Sequence, residues 1–295
     1  MAAINASTNG NTSTVRQCSR RAFVSLIVFS FGAAFITDRV AFSYPVPMLD
    51  GPLTLVIPAH NEAANMVKVI GGSVRTLSGI APEWEIVLVD DGSTDDTVEV
   101  ARRTMGADAG RLRVIRHEGK RGYGVTVADG LRSARTDYVA FMDGDGQFDP
   151  ADLATLAGLM GSADLAAGWR QHRADPGYRL VIAGVFNLLV RVLYGVRVRD
   201  LDCGLKLMRR RVLQAAAPLL ARSALLNTEL YFKAQRSGLR ITQVPVRHYP
   251  RVAGVRSGAR LIPILRAIRD LLWLRLRLAR GWRAPLPARP VPESS

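Results

Sequence analysis

Between Leu53 and Met142, four short apolar runs recur, each followed by polar or turn-forming residues. Leu53-Thr-Leu-Val-Ile57 leads into Pro58-Ala-His-Asn-Glu62, and Glu85-Ile-Val-Leu-Val89 into Asp90-Asp-Gly-Ser-Thr94. Leu112-Arg-Val-Ile115 precedes the glycine-rich stretch Gly119–Gly124, and Tyr138-Val-Ala-Phe-Met142 stops at Asp143-Gly-Asp-Gly-Gln147. Continuous apolar runs of this length suit parallel strands covered on both faces. The stretches between them read as helices from Glu62 to Leu77, from about Asp95 to Met105 and from about Tyr123 to Ala134. Ser93 or Thr94 is the expected N-cap of the second, whose first turn is acidic as the helix dipole prefers. The β-α-β-α order predicts an α/β domain with a mostly parallel central sheet and right-handed crossovers. Ligands on such sheets sit beyond the carboxyl ends of the strands. His60, Glu62, Asp90, Asp91, Asp143 and Asp145 all fall there.

The fourth run carries the most chemistry. It delivers two carboxylates, Asp143 and Asp145, and the amide of Gln147 to one sheet edge, with Gly144 and Gly146 letting the backbone turn and approach a ligand. Hard divalent cations take oxygen ligands, and Mg²⁺ binds through one or two carboxylates plus substrate phosphates. An Asp/Gly cluster after a strand is also ordinary turn chemistry; the acidic and polar motifs after the neighbouring strands favour a metal held against a diphosphate.

Taken together, Ile57-Pro-Ala-His-Asn-Glu62, Val89-Asp-Asp-Gly-Ser-Thr94 and Met142-Asp-Gly-Asp-Gly-Gln147 resemble the signatures of family 2 glycosyltransferases, which have the nucleotide-sugar-binding GT-A fold. Within that family the chain looks most like the dolichyl-phosphate mannosyltransferase and polyprenyl-phosphate glycosyltransferase branch. Gly168-Trp-Arg170, Arg179, Asn187, Arg199-Asp-Leu-Asp-Cys-Gly-Leu-Lys206 and Val244–Arg251 carry that closer likeness. The resemblance implies transfer of one sugar from a GDP-mannose or UDP-glucose type donor to a polyprenyl phosphate, with Mg²⁺ or Mn²⁺ as cofactor. It implies that Pro58, His60, Glu62, Asp90 and Asp91 line the nucleotide pocket. Asp143, Gly144 and Asp145 would hold the donor diphosphate, and Asp143, Asp145 and Gln147 the metal. Arg251 would bind donor phosphate; Arg170, Arg179 and Arg256 would bind acceptor phosphate; Asp145, Arg170 and Arg179 would be the catalytic set. Eukaryotic-type members place a Lys where this chain has Ser257; the nearby Arg256 presents a different donor geometry.

A hydroxyl acceptor usually needs a carboxylate base, and relatives that use one carry a late Glu-Asp pair. Here that segment is Asn227-Thr-Glu-Leu230, with Leu in place of the Asp. A phosphate monoester is largely ionised near neutral pH and needs no base; it needs cations to position it. A glycan or glycolipid hydroxyl as acceptor, or nucleotide-sugar binding without turnover, are the alternative readings.

Charge places the acceptor at a membrane. Residues 1–168 hold 15 Lys/Arg and 19 Asp/Glu, a net −4, whereas residues 169–295 hold 25 and 6, a net +19. No helix-turn-helix, zinc or RNP pattern accompanies the basic half, which argues against nucleic acid. Leu261, Ile264, Leu265, Ile268, Leu271, Leu272 and Trp273 recur at helical spacing among Arg266, Arg269, Arg275, Arg277 and Arg280. That pattern reads as an interfacial helix on anionic lipid or as a helix packed on the domain with a solvated basic face. Ala22–Thr37 is 16 residues without charge behind Arg16, Arg20 and Arg21, short of the roughly 20 that span a bilayer. The expectation is peripheral or weak anchoring at the cytoplasmic membrane face. The expected organisation is a tail over 1–50, a single catalytic domain over 51–258, and a basic helix with a Pro-rich tail over 259–295. Cys18 and Cys203 form no framework, and His117, His172 and His248 are read as surface or loop residues.

Overall fold

The computed structural model describes residues 48–171, 177–221, 223–250 and 261–282, with side chains left out at 177–183, 261–268 and 281. Contacts divide the chain into two units, Met1–Tyr44 and Pro45–Ser295, and the described residues all belong to the second. In chain order its elements are β1 (Leu53–Ala59), α1 (Ala63–Ile80), β2 (Trp84–Asp90), α2 (Thr97–Met105), β3 (Leu112–Arg116), α3 (Tyr123–Ser133), β4 (Tyr138–Met142) and α4 (Asp152–Ala157). There follow β5 (Leu165–Arg170), α5 (Gly177–Tyr194), β6 (Leu205–Arg209), α6 (Arg210–Ala216), α7 (Leu225–Arg236), β7 (Ile241–Val246) and α8 (Leu261–Gly281).

The seven strands form one sheet in the order β3-β2-β1-β4-β6-β5-β7. The predicted first half is parallel throughout: β1 pairs with β2 and with β4, and β2 with β3. The second half departs from simple parallel winding, because β6 runs antiparallel to both β4 and β5, while β5 and β7 are parallel. The period of two along a strand sorts side chains between two helical layers. Leu53, Leu55 and Ile57 of β1 join Met66, Val69, Ile70 and Leu77 of α1 on one face. Val56 joins Val87, Val89, Val127 and Leu131 on the other, where α7 and α8 also pack through Leu226, Leu230, Leu271, Leu274 and Leu278. Each such fully buried side chain contributes about 1.5–3 kcal/mol, and together they hold the strand ends in register.

Among the described residues no helix is long and apolar enough to cross a membrane. The Ala22–Thr37 stretch lies outside the described residues.

Candidate active site

Because β1 lies between β2 and β4, the motifs that follow these strands meet at one edge of the sheet. The first two are laced together through their loops. Asn61 N donates to Ser93 Oγ (2.9 Å), Thr94 N donates to Asn61 Oδ1 (2.8 Å), Glu62 N to Thr97 Oγ1 (2.9 Å) and Ala63 N to Asp95 Oδ2 (3.1 Å). Asn61 takes the left-handed conformation this needs (φ 57°), a region that Asn tolerates better than most residues. Ser93 and Thr94 therefore do not cap α2, contrary to expectation. Thr97 N, at its start, bonds instead to Asp95 Oδ1 (3.1 Å). Burial pushes the Asp95 carboxyl up, but the hydrogen bonds from Thr97 and Ala63 outweigh it and hold the group below its usual range.

Asp90 and Asp91 divide the work of shaping the next layer. Asp90 is buried; its Oδ1 accepts from Ser93 N (3.0 Å) and its Oδ2 pairs with Arg116 Nε (3.1 Å). Asp91 grips the glycine-rich loop, accepting from Arg121 N (2.7 Å) and Gly122 N (2.9 Å), and it meets His117 Nδ1 at 2.9 Å. Burial raises the Asp91 pKa, and these bonds more than reverse it. His117 is buried between Asp91 and Asp129, whose Oδ2 stands 3.1 Å from Nε2. This corrects the surface reading of His117, which is a strut under the loop. Gly92, at φ 71°, brings the second motif against that loop: a Cβ there would meet the Gly119 backbone at 2.8 Å.

Asp143 and Asp145, both half-buried, form the acidic corner. Tyr123 OH donates to Asp143 Oδ1 (3.0 Å), Asp143 N donates to Gly204 O (3.0 Å), and Asp145 Oδ1 accepts from Gln147 N (3.1 Å). A side chain at Gly204 would overlap the Asp143 carboxylate where it now lies, so glycine here leaves room for that placement. Burial, then the Asp145 charge, pushes the Asp143 carboxyl up to about 7, against the pull of Tyr123, Lys206 and Arg170. Lys206 is fully buried on β6, the strand paired with β4. Its Nζ donates to the Cys203 carbonyl and lies 4.9 Å from the Phe141 ring centre and 5.4 Å from that of Tyr231. Sequence reading gave Lys206 no role; its burial could not be inferred from a five-residue strand.

Arg170 is held by Asp200 through Nε (2.7 Å) and Nη2 (2.8 Å), so only Nη1 is not committed to that fork. Burial lowers its basicity, but the Asp200 bond and charge outweigh that and fix it as a cation. Gln147 Nε2 donates to Tyr249 O (3.0 Å) and Tyr249 N to Gln147 O (2.8 Å). This pairing draws His248 to the acidic loop, where its ring meets Phe148 edge-on at 5.3 Å. His248 is thus a site neighbour and not a stray loop residue. Pro58 lies under Gly144, whose Cβ position would be 2.7 Å from Pro58 O. His60 is half-buried, its shielded Nδ1 without a hydrogen-bond partner among the described residues, and Glu62 Oε2 accepts from Asn65 Nδ2 (2.6 Å). Arg179 lies in the first turn of α5, its side chain outside the described residues, as are Arg251 and Arg256 altogether.

The corner fits a divalent cation that shares its ligands with a substrate. Burial and the adjacent Asp145 charge both raise the cost of ionising Asp143, and a divalent cation bound at this corner would offset that cost. No cluster of three or more His, Cys, Asp or Glu side chains suited to holding an ion occurs among the described residues. A pair of carboxylates is what Mg²⁺ or Mn²⁺ needs when phosphate and water complete its shell.

Comparison with known proteins supplies the family. Residues 54–216 match the family described as Glycosyl transferase family 2. The dodecaprenyl-phosphate galacturonate synthase of Rhizobium johnstonii is 31% identical over 237 residues, covering 77% of this chain and 67% of that protein. The polyprenol monophosphomannose synthase of Mycolicibacterium smegmatis is 30% identical over 212 residues, covering 68% and 78%. Among solved structures, glucosyl-3-phosphoglycerate synthase from Mycobacterium tuberculosis, in complex with Mn²⁺, UDP-glucose and phosphoglyceric acid, superimposes with a TM-score of 0.59 at 20% identity, over 81% of this chain and 88% of that one. The same enzyme with Mg²⁺ and UDP gives a TM-score of 0.56 at 22% identity, over 81% and 82%. At such identities the likeness establishes the shared GT-A fold.

Proposed function

The chain belongs to glycosyl transferase family 2, and from that premise we propose that it is an inverting, metal-dependent enzyme moving one sugar from a nucleotide-sugar to a polyprenyl phosphate at the cytoplasmic face of a membrane. An oxygen of the acceptor phosphate attacks the anomeric carbon opposite the nucleotide. The bond from that carbon to the diphosphate breaks, its electron pair leaves with the nucleoside diphosphate, and a sugar–phosphate bond forms in its place. Asp143 and Asp145 would hold Mg²⁺ or Mn²⁺, which when bound offsets the charge of the departing diphosphate. Pro58, His60, Glu62 and Asp91 are the nucleotide-side residues. Asp90 supports them from beneath, and the half-buried His60 presents the exposed part of its ring to the base or ribose. Arg170, steadied by Asp200, and Arg179, Arg251 and Arg256 supply the phosphate-binding cations, with a GDP-mannose or UDP-glucose type donor. Arginine suits that task because its planar fork matches phosphate.

The observation that carries the choice of acceptor is the fate of the segment where hydroxyl-using relatives keep their base. Glu229 is fully buried, ion-paired to Lys233 (2.7 Å) and accepting from Leu220 N (2.8 Å) and Ala221 N (2.7 Å). Leu230, at the place of the base, lies in the core. Neither side chain is free to take a proton from an acceptor, and an ionised phosphate needs none taken.

The test is transfer by the full chain in detergent, with polyprenyl phosphate and a panel of labelled nucleotide-sugars. Label should enter the organic phase, require a divalent cation, and be released by mild acid as a sugar–phosphate–lipid. Label that resists mild acid, or that moves only to hydroxyl acceptors, overturns the reading.

A further inference from the structure

The helix α8 is apolar on two sides, and the described residues cover one of them. Leu271, Leu274 and Leu278 are buried in the core beside Tyr194 and Phe232. On the other side Leu272, Trp273 and Leu276 are 49%, 46% and 55% exposed. Arg269 precedes this outer strip and Arg277 and Arg280 follow it, all three exposed. The Arg277 guanidinium lies 5.2 Å from the centre of the Trp273 ring. A cavity of about 570 Å³ opens between this strip and the segment after α6, lined by Pro218, Leu220, Trp273, Leu276, Arg277 and Arg280 among others. It shares no residue with the acidic corner. Next to α8 stands α5, tied to it by Tyr194 OH donating to Leu271 O (2.5 Å) and by Arg275 Nε donating to Leu193 O (2.8 Å). Its own outward residues Val185, Leu188 and Val192, spaced three and four apart, are also exposed.

An outer surface of Leu, Val and Trp with arginine at both ends is costly in water and finds both its needs at a lipid headgroup layer. Apolar side chains enter the acyl boundary, Trp sits at the interface, and arginines meet anionic headgroups. The basic excess of residues 169–295, net +19, supplies the complementary charge. We propose that the outward strip of α8, with the crevice beside it and the exposed stripe of α5, is the surface by which this protein docks on an anionic phospholipid bilayer, a headgroup phosphate lying between Arg277 and Arg280. This rests on the lipid acceptor proposed above and goes further by assigning the docking surface to named residues. It gives α5 and α8 a membrane contact of their own.

The experiment is co-sedimentation of the full chain with phosphatidylcholine vesicles, with and without phosphatidylglycerol. Wild-type protein should bind the anionic vesicles. Arg277→Glu/Arg280→Glu and Leu272→Ser/Leu276→Ser should each weaken that binding by about tenfold or more, with unchanged melting curves and unchanged transfer in detergent. Trp273 fluorescence, taken as the difference from Trp273→Phe, should be quenched by acrylamide without lipid and protected from it on vesicles. Variants that bind as wild type does, or binding indifferent to phosphatidylglycerol, overturn the proposal. So does a Trp273 already shielded without lipid, which would mean that Ala22–Thr37 or a second copy covers the strip. Absence of transfer to polyprenyl phosphate alongside normal, variant-sensitive vesicle binding would overturn the acceptor assignment and leave the docking surface standing.

Discussion

Asp145→Asn will lower sugar transfer on the order of 10²–10³-fold, the loss seen when one preorganised electrostatic partner of a transition state is removed. The substitution is chosen because Asn keeps an Oδ1 able to accept the Gln147 N–H that shapes the loop (3.1 Å). The fold should therefore persist, with an unchanged far-ultraviolet dichroism spectrum and melting curve. What disappears is half of the charge that would hold the cation against the diphosphate. Loss of the neighbouring charge also relaxes Asp143, whose carboxyl is pushed up partly by Asp145. Turnover within a few-fold of wild type, measured with saturating divalent cation, would remove Asp145 from the metal site.

The second large effect falls on stability. Glu229→Ala strands Lys233, whose side chain is wholly buried, and leaves Leu220 N and Ala221 N without their acceptor. Breaking a buried ion pair from one side costs about 3–5 kcal/mol, a large share of a domain's stability of roughly 5–15 kcal/mol. Lys233 keeps the Ala216 carbonyl at 2.9 Å and the Pro218 carbonyl at 2.5 Å, so the loss sits toward the lower end of that range. Urea unfolding should show the lower midpoint, while turnover per folded molecule at low temperature stays near wild type. A stable Glu229→Ala protein that has lost transfer would mean that Glu229 faces the acceptor, and the hydroxyl reading would return.

The half of the fold that was legible from the sequence is the half whose strands are buried on both faces. β1, β2 and β4 announce themselves because each is an unbroken apolar run that stops at a polar motif, and their parallel order places those motifs together. The antiparallel β6 gives no such sign. It is five residues long, contains a buried lysine, and its direction is set by its pairing with β4 and β5. Side-chain roles that depend on contacts across loops were also out of reach. Ser93 and Thr94 look like caps, but Asn61, more than thirty residues earlier, claims them. His117, between Arg116 and Glu118, looks exposed until Asp91 and Asp129 close on it. The two readings of α8 were not exclusive, since its inner leucines pack in the core and its outer ones do not.

On the mechanism proposed above, the corner formed by Asp143 and Asp145 would hold a cation bonded to the donor's diphosphate. Crystals of the full chain grown with Mn²⁺ and a nucleoside diphosphate, measured on both sides of the manganese absorption edge, test it directly. One anomalous peak should lie within ligand distance of an Asp143 or Asp145 oxygen and of the diphosphate. A nucleotide bound with no manganese at that corner, or a peak coordinated elsewhere, contradicts it.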